Sequence, residues 1–231
     1  MPTVLVTGAN RGLGLEFCRQ YANGGWNVLA CCRSPETATR LTELQRTNPT
    51  VHVHRLDVSD FPAIDRLGQG LRGTVIDVLI NNAGVYGDTA STAFGRIDYT
   101  RWLEVLRINS LAPVKMAETF LDHLQSGERR LTVAITSLMG SIGDNTSGGA
   151  ILYRSSKAAL NAAMKSLSFD LRGFGIGVLM LHPGWVRTDM GGTNAPLDVM
   201  ASVSGMRQVI DHYHPSLSGQ FLNYCGESEP W

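Results

Sequence analysis

The chain has 231 residues, 43% of them hydrophobic, and its 20 Lys and Arg side chains balance 20 Asp and Glu side chains. This length suits one globular domain over residues 1–231, and the zero net charge argues against nucleic acid or an anionic membrane as the main partner. No apolar stretch is long enough to span a membrane. The four cysteines have neither zinc-site spacing nor a disulfide framework, so we expect a cytoplasmic location and predict no metal site.

Short apolar runs, each too short for a helix, alternate along the chain with segments of helical periodicity. The runs lie at residues 4–6, 27–31, 51–56, 75–80, 131–136, 176–181 and 220–224. The helical segments lie at residues 13–22, 36–46, 62–70, 98–124, 153–172 and 201–213. Near-continuous Val, Ile and Leu runs are typical of parallel strands covered on both faces. We therefore predict an α/β domain with a doubly wound sheet of about seven parallel strands flanked by helices.

The first predicted strand leads directly into a glycine-rich turn, Thr7-Gly8-Ala9-Asn10-Arg11-Gly12-Leu13-Gly14, and then into a helix. Glycines at a helix entry permit a tight turn and let a pyrophosphate approach backbone N–H groups. A plain tight turn is the alternative, but the strand before and the helix after favour dinucleotide binding in a Rossmann-type domain. The predicted binding residues of this turn are Gly8, Asn10, Arg11, Gly12, Leu13 and Gly14.

The end of the second predicted strand indicates which dinucleotide binds. NAD-selective sites place an acidic residue there to accept hydrogen bonds from the ribose 2′-hydroxyl. Here the strand has no acid and runs into Arg33, and a guanidinium pairs with a 2′-phosphate through charge-assisted bonds. Arg11 in the glycine turn supplies a second cation. Solvated surface charges are the alternative for both arginines, but the pattern favours NADP(H) over NAD.

A tyrosine and a lysine one helical turn apart are the strongest catalytic signal. Tyr153 and Lys157 project from the same face of a predicted helix. A phenol has an unperturbed pKa near 10, and a nearby ammonium group lowers it by stabilising the phenolate. An amphipathic helix that carries both residues by chance is the alternative. The spacing predicts that Tyr153 is a general acid or base assisted by Lys157.

Other polar residues stand where a predicted element ends or bends. Ser137 directly follows the fifth apolar run, at the strand end where α/β sheets bind ligands. Ser141, further along the chain, is the alternative candidate for the serine of the site. Asn109 precedes Pro113 by four residues, and because proline has no N–H we expect a kink that frees the Asn109 carbonyl. His182 is expected to be a strand-end residue with a hydrogen-bonded ring.

Together these motifs resemble the short-chain dehydrogenases/reductases over nearly the whole chain. The matched motifs are the Thr-Gly-x-x-x-Gly-x-Gly turn, Asn81-Asn82-Ala83-Gly84, Tyr153-x-x-x-Lys157 and Pro183-Gly184-x-x-x-Thr188. Within the family, the chain is most similar to the Sniffer/C-factor-like carbonyl reductases. That likeness rests on residues 10–15, on Gly148-Gly149 within a long Ser-to-Tyr spacing, and on residues 182–186, 188–192 and 195–199.

The resemblance implies a catalytic tetrad of Asn109, Ser137, Tyr153 and Lys157. In reduction, Ser137 would hydrogen-bond the substrate carbonyl and Tyr153 would protonate its oxygen. Lys157 would lower the pKa of Tyr153 and bind the nicotinamide ribose, and a water on the Asn109 carbonyl would link Lys157 to solvent. Ser137 precedes Tyr153 by sixteen residues, a few more than is common in the family, and a loop insertion at residues 143–149 would account for the extra length.

The resemblance also extends the cofactor site. Asp57 would lie against the adenine ring, a helix cap being its alternative role, and the turn at residues 183–188 would hold the nicotinamide carboxamide. The further cofactor-binding positions are Arg33, Asp57, Val58, Asn81, Ala83, Gly84, Tyr153, Lys157, Pro183, Gly184, Val186 and Thr188.

The activity implied is that of an NADPH-dependent carbonyl reductase, which transfers a hydride between NADP(H) and a ketone or aldehyde, or oxidises the alcohol in reverse. The alternatives are a 3-ketoacyl-type reductase and a non-catalytic NADP(H)-binding signalling protein, although the intact tetrad argues against the second. The partner is a small-molecule carbonyl substrate of open identity, and a homodimer or homotetramer is equally open. Residues 191–204 are expected to form a substrate loop, with Tyr86, Leu138, Trp185 and Met190 as apolar pocket walls.

Overall fold

The computed structural model describes residues 1–89 and 93–231, and at its centre lies a sheet of seven strands. They are β1 (Thr3–Thr7), β2 (Asn27–Cys32), β3 (Val51–Arg55), β4 (Val78–Asn81), β5 (Leu131–Ile135), β6 (Gly177–His182) and β7 (Gln220–Asn223). The strand order is β3-β2-β1-β4-β5-β6-β7, and every neighbouring pair is parallel. The predicted doubly wound parallel sheet is therefore confirmed.

The helices that connect these strands cover both faces of the sheet. They are α1 (Gly12–Asn23), α2 (Thr39–Thr47), α3 (Phe61–Gly70), α4 (Tyr99–Leu106), α5 (Ala112–Thr119), α6 (Leu121–Gln125), α7 (Ile151–Asp170) and α8 (Val199–Asp211). Apolar residues of α1, α2 and α8 pack on one face, and those of α3, α5 and α7 pack on the other. None of the helices in the described ranges is long and apolar enough to cross a membrane.

The segment predicted as one helix at residues 98–124 is broken into three. Between α4 and α5 the chain forms a π-helical turn at Arg107–Leu111, in which the Ala112 N–H donates to the Arg107 carbonyl. An ordinary α-helix at this point would need an N–H from Pro113 to reach the Asn109 carbonyl, and proline has none. The break that was predicted before Pro113 as a kink is therefore present as a π-helical turn, which is wider than an α-helical turn.

Two other predicted boundaries also shift. The second helical segment begins with a 3₁₀ turn at Pro35–Thr37 and becomes α-helical only at Thr39. Helix α8 already begins at Val199, capped by the Asp198 side chain, which accepts a 2.8 Å hydrogen bond from the Ala201 N–H. The predicted substrate loop at residues 191–204 is therefore irregular only up to Asp198, and its last six positions are helical.

The close approach of α1 to β1 predicts opposite effects for two glycine substitutions. A Cβ at Gly14 would lie 2.2 Å from the Gly8 carbonyl oxygen, whereas a Cβ at Gly70, the last residue of α3, would meet no atom within 4 Å. We expect Gly14→Ala to lower the free energy of unfolding by about 1–3 kcal/mol. Gly70→Ala should raise it by up to about 1 kcal/mol, because alanine loses less backbone entropy. Urea denaturation of both variants checks this, and equal effects would contradict it.

Candidate active site

A cleft of about 650 Å³ opens at the carboxyl ends of the strands, where the strand order reverses between β1 and β4. This is the position at which open α/β sheets bind ligands. Fourteen of the predicted site residues line it: Gly8, Asn10, Arg11, Gly12, Leu13, Arg33, Asp57, Val58, Ala83, Gly84, Tyr153, Lys157, Pro183 and Thr188. The fold thus brings residues from five different strand ends to one cleft.

The glycine turn forms a cradle that fits a pyrophosphate. Gly8 and Gly12 have φ values of 66° and 53°, which favour glycine, and a Cβ at Gly8 would lie 2.9 Å from the Ala83 Cα. Helix α1 begins in this turn, its N-cap Arg11 makes no side-chain capping bond, and its first turn carries no acid. The N–H groups of a helix start need an acceptor, and an anion there is stabilised by the helix dipole.

Four predicted cofactor residues do not line the cleft. Gly14 packs against the Gly8 carbonyl and Gly184 against Leu197 and Tyr224. Val186 is buried and forms a parallel bridge with Leu197. These three residues therefore pack against other parts of the chain and do not face the cleft.

Asn81, the fourth, lies inside the sheet, where its amide donates to the Thr132 hydroxyl at 3.3 Å. The next residue, Asn82, lines the cleft instead, and its amide donates to the Thr7 and Gly8 carbonyls at 2.9 and 3.2 Å. Successive residues of a strand point to opposite sides, so only one asparagine of this pair can face the glycine turn.

One end of the cleft is basic. Arg33 and Arg40 both line it, and neither guanidinium has an ion-pair or hydrogen-bond partner among the described residues. Arg11, predicted as a second cation, is instead paired with Asp189 at 2.7 Å. Arg40 was not predicted, because it lies on α2 and only the fold of that helix brings it beside the end of β2.

Asp57 also lines the cleft, and it does not cap the helix that follows. Its Oδ1 accepts hydrogen bonds from the Ser59 N–H and hydroxyl at 2.9 and 2.7 Å. The cap of α3 is Asp60, which accepts from the Ala63 N–H. The alternative role of Asp57 as a helix cap is therefore wrong, and its place against the adenine ring stays a prediction.

Tyr153 and Lys157 project from the first two turns of α7 to the floor of the cleft. Both are nearly buried, with 8% and 4% of their surface exposed. The Lys157 Nζ donates a 2.8 Å hydrogen bond to the Ile135 carbonyl and lies 5.7 Å from the centre of the Tyr153 ring. The predicted pair thus shares one site at the end of β5.

The pKa values of this pair differ from the sequence-based expectation. Burial raises the pKa of Tyr153 to about 12, and Tyr86 adds to this, while a hydrogen bond with Ser137 lowers it. Burial also lowers the pKa of Lys157 to about 8. The net shift of the Tyr153 pKa is therefore upward and not downward as expected, because burial disfavours the charged forms of both side chains.

The buried Lys157 predicts a pH-dependent stability difference between the wild type and Lys157→Met. The pKa of Lys157 is about 8 when folded against an ordinary value of 10.5, so between these pH values the unfolded chain binds more protons and stability rises with pH. Relative to the variant, the wild type should gain up to about 3 kcal/mol of unfolding free energy from pH 7 to pH 10.5. The comparison cancels the ionisation of Cys18, Cys31 and Tyr21, whose pKa values burial raises in both proteins. Denaturation at several pH values measures the difference in unfolding free energy between the two proteins. A difference that does not change with pH would contradict the prediction.

Ser137 and its competitor Ser141 have different surroundings. Ser137 lies two residues after the end of β5, its Oγ accepts from the Met139 N–H at 3.1 Å, and its hydroxyl is close enough to Tyr153 to lower the pKa of that phenol. The Ser141 hydroxyl donates to the Trp231 carbonyl and accepts from the Asp144 N–H. These bonds hold Ser141 in the loop at residues 141–149, so Ser137 is the hydroxyl that stands beside the phenol.

Asn109 lies in the π-helical turn and clamps the segment after β4. Its Oδ1 accepts from the Val85 N–H at 2.9 Å, and its Nδ2 donates to the Val85 carbonyl at 2.8 Å and to the Ser156 hydroxyl at 2.9 Å. The side chain therefore ties together the segment after β4 and helix α7. This contact was not predicted, since the sequence pointed only to the Asn109 carbonyl.

His182, at the end of β6, is neutral at neutral pH. Burial lowers the pKa of His182 to about 4, and its Nδ1 has no hydrogen-bond partner among the described residues, so the prediction of a hydrogen-bonded ring is wrong for that nitrogen. Across residues 1–89 and 93–231, no cluster of three or more His, Cys, Asp or Glu side chains could hold a metal ion.

Apolar side chains stand at the open side of the cleft beside Tyr153. The Tyr86 ring lies 4.9 Å from the Tyr153 ring, and Met190 lines the cleft. Trp185 is 58% exposed, and its indole donates to the Gly191 carbonyl at 2.8 Å. Of the four predicted pocket walls, Met190 lines the cleft and Tyr86 packs on the phenol ring, whereas Trp185 and Leu138 are not among the residues that line the cleft.

Comparison with known proteins gives matches along the chain. The family model described as short chain dehydrogenase matches residues 2–197. The fold is similar to the carbonyl reductase Sniffer of D. melanogaster, with a TM-score of 0.94 and 35% identity over 100% of both chains. It is also similar to the NADPH-bound carbonyl reductase from chicken fatty liver, with a TM-score of 0.92 and 34% identity over 100% of this chain and 99% of that one. The C-signal protein of Myxococcus xanthus is 48% identical over 156 residues, 68% of this chain and 93% of that protein.

Proposed function

The chain belongs to the short-chain dehydrogenase family of oxidoreductases, and from the geometry of its cleft we propose that it reduces ketones or aldehydes with NADPH. The observation that carries the proposal is the buried pair Tyr153 and Lys157 on the floor of a cleft that begins at an uncapped helix start. Ser137 is buried two residues after the end of β5, whose last residue, Ile135, also lines the cleft. A pure binding protein has no need of a buried phenol and ammonium at this point. The structural relatives described as carbonyl reductases support the same substrate class.

The raised pKa of Tyr153 suits the direction of reduction. At neutral pH the phenol is protonated, so its hydroxyl can donate a proton to the oxygen of a carbonyl that receives a hydride. The nicotinamide ring of the cofactor supplies that hydride. Ser137 stands beside the phenol and donates the second hydrogen bond to the developing oxyanion. When protonated, Lys157 adds a positive charge near the phenol, since its Nζ lies 5.7 Å from the centre of the Tyr153 ring.

NADP(H) is the cofactor that fits the basic end of the cleft. Arg33 and Arg40 present two guanidinium groups that lack partners among the described residues, and these match a 2′-phosphate better than a 2′-hydroxyl. A structural relative contains bound NADPH. A cytoplasmic location and a homodimer or homotetramer stay predictions from the sequence.

A screen of carbonyl compounds tests the proposal. NADPH oxidation by the purified protein is followed at 340 nm with aromatic ketones, quinones, short aldehydes and 3-keto esters. We expect turnover with at least one class, and the pattern separates a broad carbonyl reductase from one restricted to 3-keto compounds. Tight NADPH binding without turnover of any compound would contradict the proposal and support the non-catalytic signalling alternative.

A further inference from the structure

The helix that carries Tyr153 and Lys157 has no capping side chain of its own. The N-cap position of α7 is Ala150, whose backbone is left-handed with φ 45° and ψ 48°. Alanine cannot accept a hydrogen bond, and the first turn of α7 carries no acidic residue. The first N–H groups of a helix need an acceptor from outside the helix, so another part of the chain must supply it.

Asp88 supplies that acceptor from the segment after β4. Its Oδ1 accepts from the Leu152 N–H at 3.2 Å and its Oδ2 accepts from the Tyr153 N–H at 2.8 Å. These two positions are the second and third residues of α7, the ones that an ordinary N-cap side chain serves. Both oxygens of one carboxylate thus bind the turn that contains Tyr153, across 65 residues of sequence.

The segment that presents Asp88 is held in place by three contacts. Val85 is clamped by the Asn109 side chain, and the Tyr86 ring packs on the Tyr153 ring. Gly87 has a φ of 81°, and a Cβ there would lie 2.3 Å from a Val105 methyl carbon. The same segment begins with Gly84, which lines the cofactor cleft. The position of Asp88 is therefore linked to the wall of the cleft.

We propose that Asp88 is a positioning residue for Tyr153. Its carboxylate fixes the first turn of α7, and through the backbone N–H of Tyr153 it sets where the phenol stands relative to a bound substrate. The expected effect of Asp88 on catalysis rests on the proposed function. Lys157 lies one turn further along α7 and has a contact of its own, from its Nζ to the Ile135 carbonyl.

Substitution of Asp88 tests the proposal through two independent readouts. In Asp88→Ala both N–H groups lose their acceptor, and in Asp88→Asn one carbonyl oxygen remains. We expect amide hydrogen exchange at Leu152 and Tyr153 to speed up at least tenfold in Asp88→Ala and less in Asp88→Asn. We also expect kcat for carbonyl reduction to fall about tenfold or more in Asp88→Ala, since small displacements of a reacting group are costly, with an intermediate value for Asp88→Asn. The KM for NADPH should change little.

Asp60→Ala is the control, because Asp60 is the N-cap residue of α3 and its carboxylate accepts from the Ala63 N–H of that helix and not from α7. At saturating NADPH, Asp60→Ala should keep kcat near the wild-type value. This result would show that kcat depends on the cap of α7 and not on the loss of a helix cap in general. Unchanged amide exchange at Leu152 and Tyr153 in Asp88→Ala would overturn the proposal whether or not the wild type turns over a carbonyl. Unchanged kcat in Asp88→Ala, with an active wild type, would also overturn it. An inactive wild type with faster exchange in the variant would sink the proposed function and leave the capping role supported.

Discussion

Replacing Tyr153 by phenylalanine is expected to lower kcat for carbonyl reduction by about 10²–10⁴-fold, the usual contribution of a positioned general acid, with little change in NADPH binding. The substitution removes one hydroxyl from a side chain that is 8% exposed and keeps the ring that packs on Tyr86. The fold and the cofactor cleft should therefore persist. Steady-state kinetics with the best substrate of the screen, together with NADPH titration by fluorescence, measure both effects.

Tyr99→Phe is the control for the loss of a phenol hydroxyl. Tyr99 begins α4, is 67% exposed and does not line the cleft. We expect it to retain wild-type kcat. Full activity in Tyr153→Phe would refute the acid role of this tyrosine, whereas loss of activity together with loss of NADPH binding would point to a damaged cleft instead of a missing proton donor.

The parts of the site that could be predicted from the sequence are those in which a short stretch of chain determines the geometry. Three glycines between a strand and a helix require a tight turn, and a four-residue spacing on a helix places Tyr153 above Lys157. The strand pattern was sufficient for the sheet, because fully covered parallel strands carry long apolar runs. The break before Pro113 followed from the missing N–H of proline.

The parts that could not be predicted depend on contacts between distant segments. Asp88 and Tyr153 lie 65 residues apart, and no local pattern indicates that α7 takes its cap from the segment after β4. Which of Asn81 and Asn82 lines the cleft depends on the side of the sheet that each one faces. The raised pKa of Tyr153 reflects burial, which the spacing of two side chains does not reveal. For the same reason Arg40 and the pairing of Arg11 with Asp189 were not predicted.

The basic end of the cleft predicts a change of cofactor preference in Arg33→Asp. We expect kcat/KM for NADPH to fall about 100-fold while kcat/KM for NADH changes only slightly. A hydrogen bond to a charged group contributes about 1.5–3 kcal/mol, and the new carboxylate would also repel a 2′-phosphate. An aspartate at the end of β2 can instead accept hydrogen bonds from the 2′-hydroxyl of NADH. Kinetics with both cofactors at low and moderate salt measure the ratio, and the NADPH loss should shrink as salt screens the repulsion.

Arg72→Asp makes the same change of charge away from the cleft. Arg72 is exposed and lies between the end of α3 and the start of β4. This segment is at the amino ends of the strands, whereas the cleft is at their carboxyl ends. The Arg72→Asp substitution should therefore leave kcat/KM for both cofactors unchanged. Arg40 remains in Arg33→Asp and also lines the cleft, so residual NADPH preference in that variant should disappear when Arg40→Ala is added. Equal losses for NADPH and NADH in Arg33→Asp would show that this guanidinium supports the shape of the cleft and does not read the 2′-phosphate.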